Sequence, residues 1–299
     1  MDISNPHDKF FKQTFSNIEA AKDFITGTFP ENILKNLDLS TLELDTNTYT
    51  DSELKEHFSD LVYYCFYGNK IPIKIAILFE HKSTIPEYPH LQIFRYMLKI
   101  WELNVKQREM PVPVIPVIFY HGKEKWEMKP FIEYFKNACD LSDFIPAFKY
   151  LLTDCSRYSD EQIKDEIFNT AITKIAILLL KDVFDEEKIM QKLVDIFNLG
   201  VLYLKEEKGL RYFEAVLRYL FANIGEEKQN KVFKIIREIS IVGGNNAMTI
   251  EEALIKKGEE KGIEKGKIET AKKMLAEGCN VDFISKITGL TVDEINNLK

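Results

Sequence analysis

Two apolar runs only three residues apart constrain this chain more than any other feature. They are Phe58-Ser-Asp-Leu-Val-Tyr-Tyr-Cys-Phe-Tyr67 and Ile71-Pro-Ile-Lys-Ile-Ala-Ile-Leu-Phe79, joined by Gly68-Asn69-Lys70. Aromatic and β-branched runs bounded by turn residues read as paired strands, and Gly beside Asn supplies the positive φ values that a tight connection needs. The second run ends abruptly in Glu80-His81-Lys82. Residues two apart in an extended chain share a face, so Glu80 and Lys82 project together and His81 projects the other way. Pairing about the turn sets Asp60 roughly opposite Lys82, near the open end of the hairpin, and three polar groups converge.

Two carboxylates at the end of an apolar strand are hard oxygen donors of the kind Mg²⁺ prefers, with Mn²⁺ or Ca²⁺ as alternatives. The remaining positions would be filled by water, by a backbone carbonyl such as that of His81, and by a substrate phosphate. A metal held there lowers the pKa of a bound water and neutralises charge developing on phosphorus. Lys82 fits as the group that orients or deprotonates that water, or that stabilises the transition state by its charge. Such a site suits phosphodiester hydrolysis. Glu-x-Lys alone is common on solvated strands; directly after Ile75-Ala-Ile-Leu-Phe79, with an Asp on the partnered strand, it is hard to read as surface decoration.

The rest of the chain frames this hairpin as α/β. Apolar positions from Phe10 to Ile25 recur at helical spacing, Thr41–Tyr49 is β-like, Tyr88–Gln107 returns to a helical pattern, and Val112–Tyr120 reads as a further buried strand. From about Asp160 to Ser240 the pattern is almost wholly amphipathic helix. Gly243-Gly244-Asn245-Asn246 reads as a linker, and Gly258, Gly262 and Gly266 then recur every fourth residue on one helical face, as a semi-flexible connector or a close packing face. Two or three short helices, over Thr270–Glu277, Asp282–Thr288 and Val292–Leu298, are expected at the end. The expected domains are a core over 1–155, a helical region packed on it over 156–242, and a linker with a helical tail over 243–299.

Charge and cysteine usage narrow the function further. A net charge of −7 argues against a generally basic nucleic-acid coat, so any DNA contact comes from a local patch or through bound cations. Cys65, Cys139, Cys155 and Cys279 form no CxxC pair, and neither a disulfide framework nor a zinc knuckle is expected. With no leader-like start and no apolar stretch of membrane length, the expectation is a cytoplasmic protein with no membrane partner.

Several stretches together resemble the PD-(D/E)xK nuclease superfamily, and its Rpn branch, the recombination-promoting nucleases that also carry a transposase label. They are Pro6-His-Asp-Lys-Phe-Phe-Lys12, Ser59-Asp-Leu-Val-Tyr63, Leu78-Phe-Glu-His-Lys-Ser83, Leu91-Gln-Ile-Phe-Arg-Tyr-Met97, and Pro116-Val-Ile-Phe-Tyr-His-Gly122 with Trp126 beyond. The likeness spans about residues 5–240. It implies a restriction-endonuclease-like core, a mixed sheet flanked by helices, followed by a helical region and a small helical tail. It also implies that Asp60 and Glu80 bind metal, that Lys82 is the catalytic lysine, and that the substrate is DNA. Gln92 and Tyr96 form a Gln-x-x-x-Tyr pair resembling a motif that follows the Glu-x-Lys strand in some related exonucleases. Four residues apart on a helix is one face, so Gln92 joins the catalytic set and Tyr96, with Arg95, is a candidate DNA contact.

Plainer readings stand beside these. His81 reads as a packing or hydrogen-bonded histidine, His7 and Asp8 as a helix N-cap group, Gln92 equally as a structural hydrogen bonder, and Asp154 as either cap or accessory group. The segment Phe283–Ile295 has the outline of a small helix-turn-helix, but Asp293 and Glu294 would open its second helix with charges that repel phosphate. An interaction tail, through which the chain dimerises, is the preferred expectation. The alternative to a nuclease is a DNA- or protein-binding module that keeps the fold without turnover. A true transposase is disfavoured, because a lysine stands where a third carboxylate would be expected.

Overall fold

The residues between the two apolar runs form the expected turn, with Gly68 at φ 52° and Lys70 at φ 64°. Lys70, rather than Asn69, takes the second left-handed position. Strand pairing resumes at once, Tyr67 opposite Ile71, so the hairpin closes close to Asn69. The computed structural model describes residues 6–45, 59–80, 85–122, 124–136, 139–201, 203, 207–241 and 248–298. His81, Lys82, the 243–246 linker and the distal part of the expected 41–49 strand lie outside them. The chain divides into two compact units, Met1–Asn230 and Lys231–Lys299.

In the first unit, α1 (Pro6–Phe15), α2 (Ile18–Thr28) and the short α3 (Glu31–Leu34) precede β1 (Leu37–Leu44), β2 (Ser59–Tyr67) and β3 (Ile71–Glu80). Helix α4 (Pro89–Lys106) leads to β4 (Val114–Tyr120), and 3-10 turns at Phe131–Tyr134 and Cys139–Phe144 lead to β5 (Leu151–Asp154). A π-helical turn (Gln162–Ile167) is followed by α5 (Ala171–Asp182), α6 (Glu186–Gly200), α7 (Glu207–Asn223) and α8 (Glu226–Glu238), whose residues from Lys231 onward belong to the second unit. The sheet order is sequential, β1-β2-β3-β4-β5. The first two pairings are antiparallel and the last two parallel, which makes the sheet mixed. Strand β1 begins earlier than the sequence reading placed it.

Alternation along the strands sorts two apolar layers. One face presents Tyr63, Ile75 and Phe119, all wholly buried. Tyr63 Oη donates to the Phe15 carbonyl at 2.5 Å, and the Phe119 ring packs against Phe11, Phe15 and Phe24, so α1 and α2 cover this side. Asp23 of α2 accepts from the Asn169 and Thr170 amides at 2.9 and 2.8 Å, fixing the entrance to α5. The opposite face carries Val62, Ala76, Ile118 and Tyr120 in one cluster with Ile93, Tyr96, Met97 and Ile100 of α4. Because β3 and β4 are parallel neighbours, the helix joining them must run back along the sheet. Trp101 Nε1, near the helix end, donates to the Val112 carbonyl at 2.8 Å just before β4, which leaves the first turn of α4 at the end where β3 finishes.

In the second unit, β6 (Ser240–Ile241) pairs with β7 (Met248–Thr249), and α9 (Ile250–Ala276), α10 (Val281–Thr288) and α11 (Val292–Asn296) follow. The expected short helix at 270–277 is the end of the 27-residue α9; the glycines do not break it. Nor do Gly262 and Gly266 form a packing face, since a Cβ at either meets nothing within 4 Å. Ala is the better helix former by about 1 kcal/mol per position. Gly262→Ala with Gly266→Ala should therefore raise helicity and the thermal midpoint of the full chain, measured by circular dichroism; a lower midpoint would show that those positions are occluded in solution.

Candidate functional site

The hairpin register decides which polar positions meet. Asp60 lies opposite Leu78, and the pairing continues to Ser59 opposite Phe79. This corrects the expected Asp60–Lys82 pairing: strands joined by residues 68–70 pair symmetrically about Asn69, so the position facing Asp60 is 78, before Glu80 rather than after it. Asp60, Leu78 and Glu80 then occupy one face by the two-residue repeat, with Asp60 and Glu80 as diagonal neighbours. Such positions in an antiparallel pair lie about 7–8 Å apart. The face is that of Val62 and Ala76, and therefore of α4.

Glu80 ends β3 opposite Tyr120 of β4, and Tyr120 pairs with Asp154 of β5. Asp154 resolves toward the cap reading. It is 1% exposed and caps the 155–157 turn, accepting from the Ser156 amide at 3.0 Å and the Ser156 hydroxyl at 2.7 Å. Arg157 Nε and the Trp126 amide also approach its second oxygen, each at 3.4 Å. The Asp154 carboxylate thus ties the end of β5 to the following turn and to the loop at Trp126, and is committed locally.

On α4, Gln92 is half-buried in the first helical turns and Arg95 is exposed. Tyr96 is wholly buried among Val62, Ala76 and Tyr120, which corrects its expected role as a DNA contact: the residue one helical turn beyond Gln92 faces the sheet and packs. His7 is likewise no cap. It sits inside α1, and its Nδ1 lies 2.8 Å from Tyr219 Oη, with its ring 5.4 Å from that of His121. His121 lies within hydrogen-bonding distance of the Leu180 carbonyl and stacks on Phe184. The two histidines fasten α1 and the end of β4 to the helical layer.

One charged group on the α4 face escaped the sequence reading. Lys74, in the middle of β3, pairs with Asp45 at 2.8 Å, their side chains 7% and 9% exposed. A lone lysine in an otherwise apolar strand was the available signal. Among the described residues no group of three or more His, Cys, Asp or Glu is placed to hold a metal. Cys65, Cys155 and Cys279 carry free thiols, and no described helix is long and apolar enough to cross a membrane.

The second unit has its own small core. Ala271 of α9, Ile284 of α10, Leu290 and Ile295 of α11 are buried together. Gly289, at φ 73°, ends α10, and Thr291 opens α11 with a capping box in which Glu294 accepts from the Thr291 amide and hydroxyl at 2.7 and 2.8 Å. Those hydrogen bonds hold the Glu294 carboxyl below its ordinary pKa. One of the two acids that counted against a helix-turn-helix is therefore a structural cap.

Comparison with known proteins bears on both units. Residues 5–210 match the family described as "Putative transposase, YhgA-like". Residues 264–299 match "Rpn/YhgA-like nuclease family, C-terminal HTH domain", which overturns the preference for a plain interaction tail. The chain is 25% identical over 302 residues to Recombination-promoting nuclease RpnA of Escherichia coli K12, covering 98% of this chain and 96% of the relative. It is 26% identical over 301 residues to Inactive recombination-promoting nuclease-like protein RpnE of the same strain, covering 98% and 97%. With Recombination-promoting nuclease RpnD of E. coli O157:H7 it shares 24% over 257 residues, covering 84% and 94%. No solved structure matches.

Proposed function

This chain belongs to the family described as "Putative transposase, YhgA-like", and on that premise we propose that it is a metal-dependent DNA endonuclease of the PD-(D/E)xK type acting in recombination. The observation that carries this reading is the register that sets Asp60 and Glu80 one diagonal step apart on the α4 face, at the end where an apolar strand stops. Two relatives whose names call them recombination-promoting nucleases, similar over most of their length, support it.

The donor set fits a hard divalent cation: two carboxylates, with the His81 carbonyl next in the chain, are oxygen ligands of the kind Mg²⁺ takes. When bound, the ion supplies an acidified water and neutralises charge on the phosphate. The chain's own residues do the rest. Lys82, two residues after Glu80, holds the attacking water or donates charge to the phosphate oxygens as the bond to phosphorus forms. Gln92 orients the strand or the water from α4. The first-turn amides of α4, with Pro89 at the helix start and no side-chain cap, present partial positive charge toward that end of the sheet, which favours a phosphate. The C-terminal domain supplies further DNA affinity, helping a chain of net charge −7 hold a polyanion.

A second reading, a DNA-binding module without turnover, is favoured by one observation: a relative of nearly full coverage is named inactive. Conversion of supercoiled plasmid to nicked and linear forms separates the two. Cleavage in Mg²⁺ that EDTA abolishes supports the nuclease; a folded chain that retards DNA on a gel yet cuts none in Mg²⁺, Mn²⁺ or Ca²⁺ supports the module.

A further inference from the structure

Beside the first turn of α4 lies a cavity of about 540 Å³, within the 300–1,000 Å³ typical of small-ligand sites. Its walls are largely aromatic and aliphatic. His90, the second residue of α4, lines it together with Phe131, Phe148 and Tyr150. The imidazole stacks on Phe131 at 5.1 Å and meets Tyr150 and Phe148 edge-on at 5.2 and 5.6 Å. His90 is 3% exposed, and among the described residues its Nδ1 meets no hydrogen-bond partner. An unmet polar atom in such surroundings is unfavourable unless a ligand or a water meets it.

Charge narrows the choice of ligand. The chain has more acidic than basic residues, 47 against 40, yet among the described residues no carboxylate lines this cavity; the charged side chains there are Lys129 and Lys149, both exposed. A ligand with a flat aromatic body, polar edges and an anionic end satisfies the aromatic walls, the buried imidazole and the two lysines together.

We propose that this cavity takes an unstacked nucleobase of the DNA substrate, its face against Phe131 and Phe148, its edge on His90 and its phosphate met by Lys129 and Lys149. The inference rests on the nuclease reading for the origin of the base, since the cavity lies beside the first turn of α4, at the end of the sheet where β3 stops. Base–aromatic stacking is tolerant of sequence because every base has a π-face, and it offsets the stacking that one extruded nucleotide loses. Burial lowers the His90 pKa, so the ring is neutral near pH 7 and presents one donor and one acceptor.

The test uses the full chain and the four deoxynucleoside 5′-monophosphates, with binding read by saturation-transfer NMR. Ala147→Trp fills the cavity from an exposed lining position, and His90→Phe keeps the ring while removing its nitrogens; circular dichroism confirms that each is folded. At least one mononucleotide should bind, ten-fold or more weakly to Ala147→Trp and several-fold more weakly to His90→Phe. The inference is overturned if none binds, if Ala147→Trp binds like the parent, or if deoxyribose 5-phosphate binds as tightly as the nucleotides. Mononucleotide binding requires no hydrolysis, so failure here with plasmid cleavage intact removes the cavity's role alone. Binding without cleavage would leave the cavity a nucleotide site and remove the nuclease reading instead.

Discussion

Lys82→Ala should lower the single-turnover rate of DNA cleavage by about 10²–10⁴-fold, the range for a positioned proton-transfer group, while DNA affinity stays near that of the parent. The reason is placement in the chain. Lys82 follows Glu80 by two residues at the end of a strand whose partner carries Asp60, and its task is to act on the water and the charge that develop during reaction. Interactions made only in the transition state change rate rather than binding. Rapid-quench kinetics beside gel-shift titration separate the outcomes. Equal losses in rate and affinity would make Lys82 a phosphate contact, and an unchanged rate would remove it from the centre.

Lys74→Ala should cost about 3–5 kcal/mol of stability, the range for removing one partner of a buried ion pair. The lysine stands between Ile73 and Ile75, which are 3% and 0% exposed. Its partner Asp45, just after β1, donates its amide to the Val62 carbonyl at 2.7 Å, so the aspartate is pinned and cannot follow its charge into water. Replacing both, Lys74→Met with Asp45→Leu, should recover most of the loss, because a matched apolar pair removes the desolvation of two charges. Urea unfolding of the two single variants and the double closes a thermodynamic cycle. A cost below about 1 kcal/mol for Lys74→Ala, the size expected of a surface pair, would show that the pair is solvated.

These two lysines illustrate what the sequence made legible. The strand containing Lys74 was evident from the run Ile71–Phe79, as was the turn at Gly68–Lys70, because β-branched periodicity and turn chemistry are local properties. So was α4, whose apolar positions Ile93, Met97 and Ile100 repeat at helical spacing. The register was legible in the same turn: strands joined by residues 68–70 pair symmetrically about Asn69, and that symmetry sets Asp60 against Leu78 rather than Lys82.

Tertiary partners were the least visible. Tyr96 followed Gln92 by one helical turn and read as a substrate contact, but helix α4 is broad enough in its apolar stripe to bury it against Val62 and Ala76. His7 read as a cap because caps are local, whereas its partner, Tyr219, lies 212 residues away. In the tail, Asp293 and Glu294 were weighed as charges facing DNA. The capping box that occupies Glu294 was spelled by Thr291 three residues before it, and that local signal would have favoured a helix-turn-helix had it been weighed.

The central claim is that Asp60 and Glu80 form one metal centre, and calorimetric titration of Mn²⁺ into the full chain without DNA tests it most directly. The account predicts a site in the parent chain that is lost in both Asp60→Asn and Glu80→Gln, each still folded. Binding retained at parental affinity in both variants would contradict it.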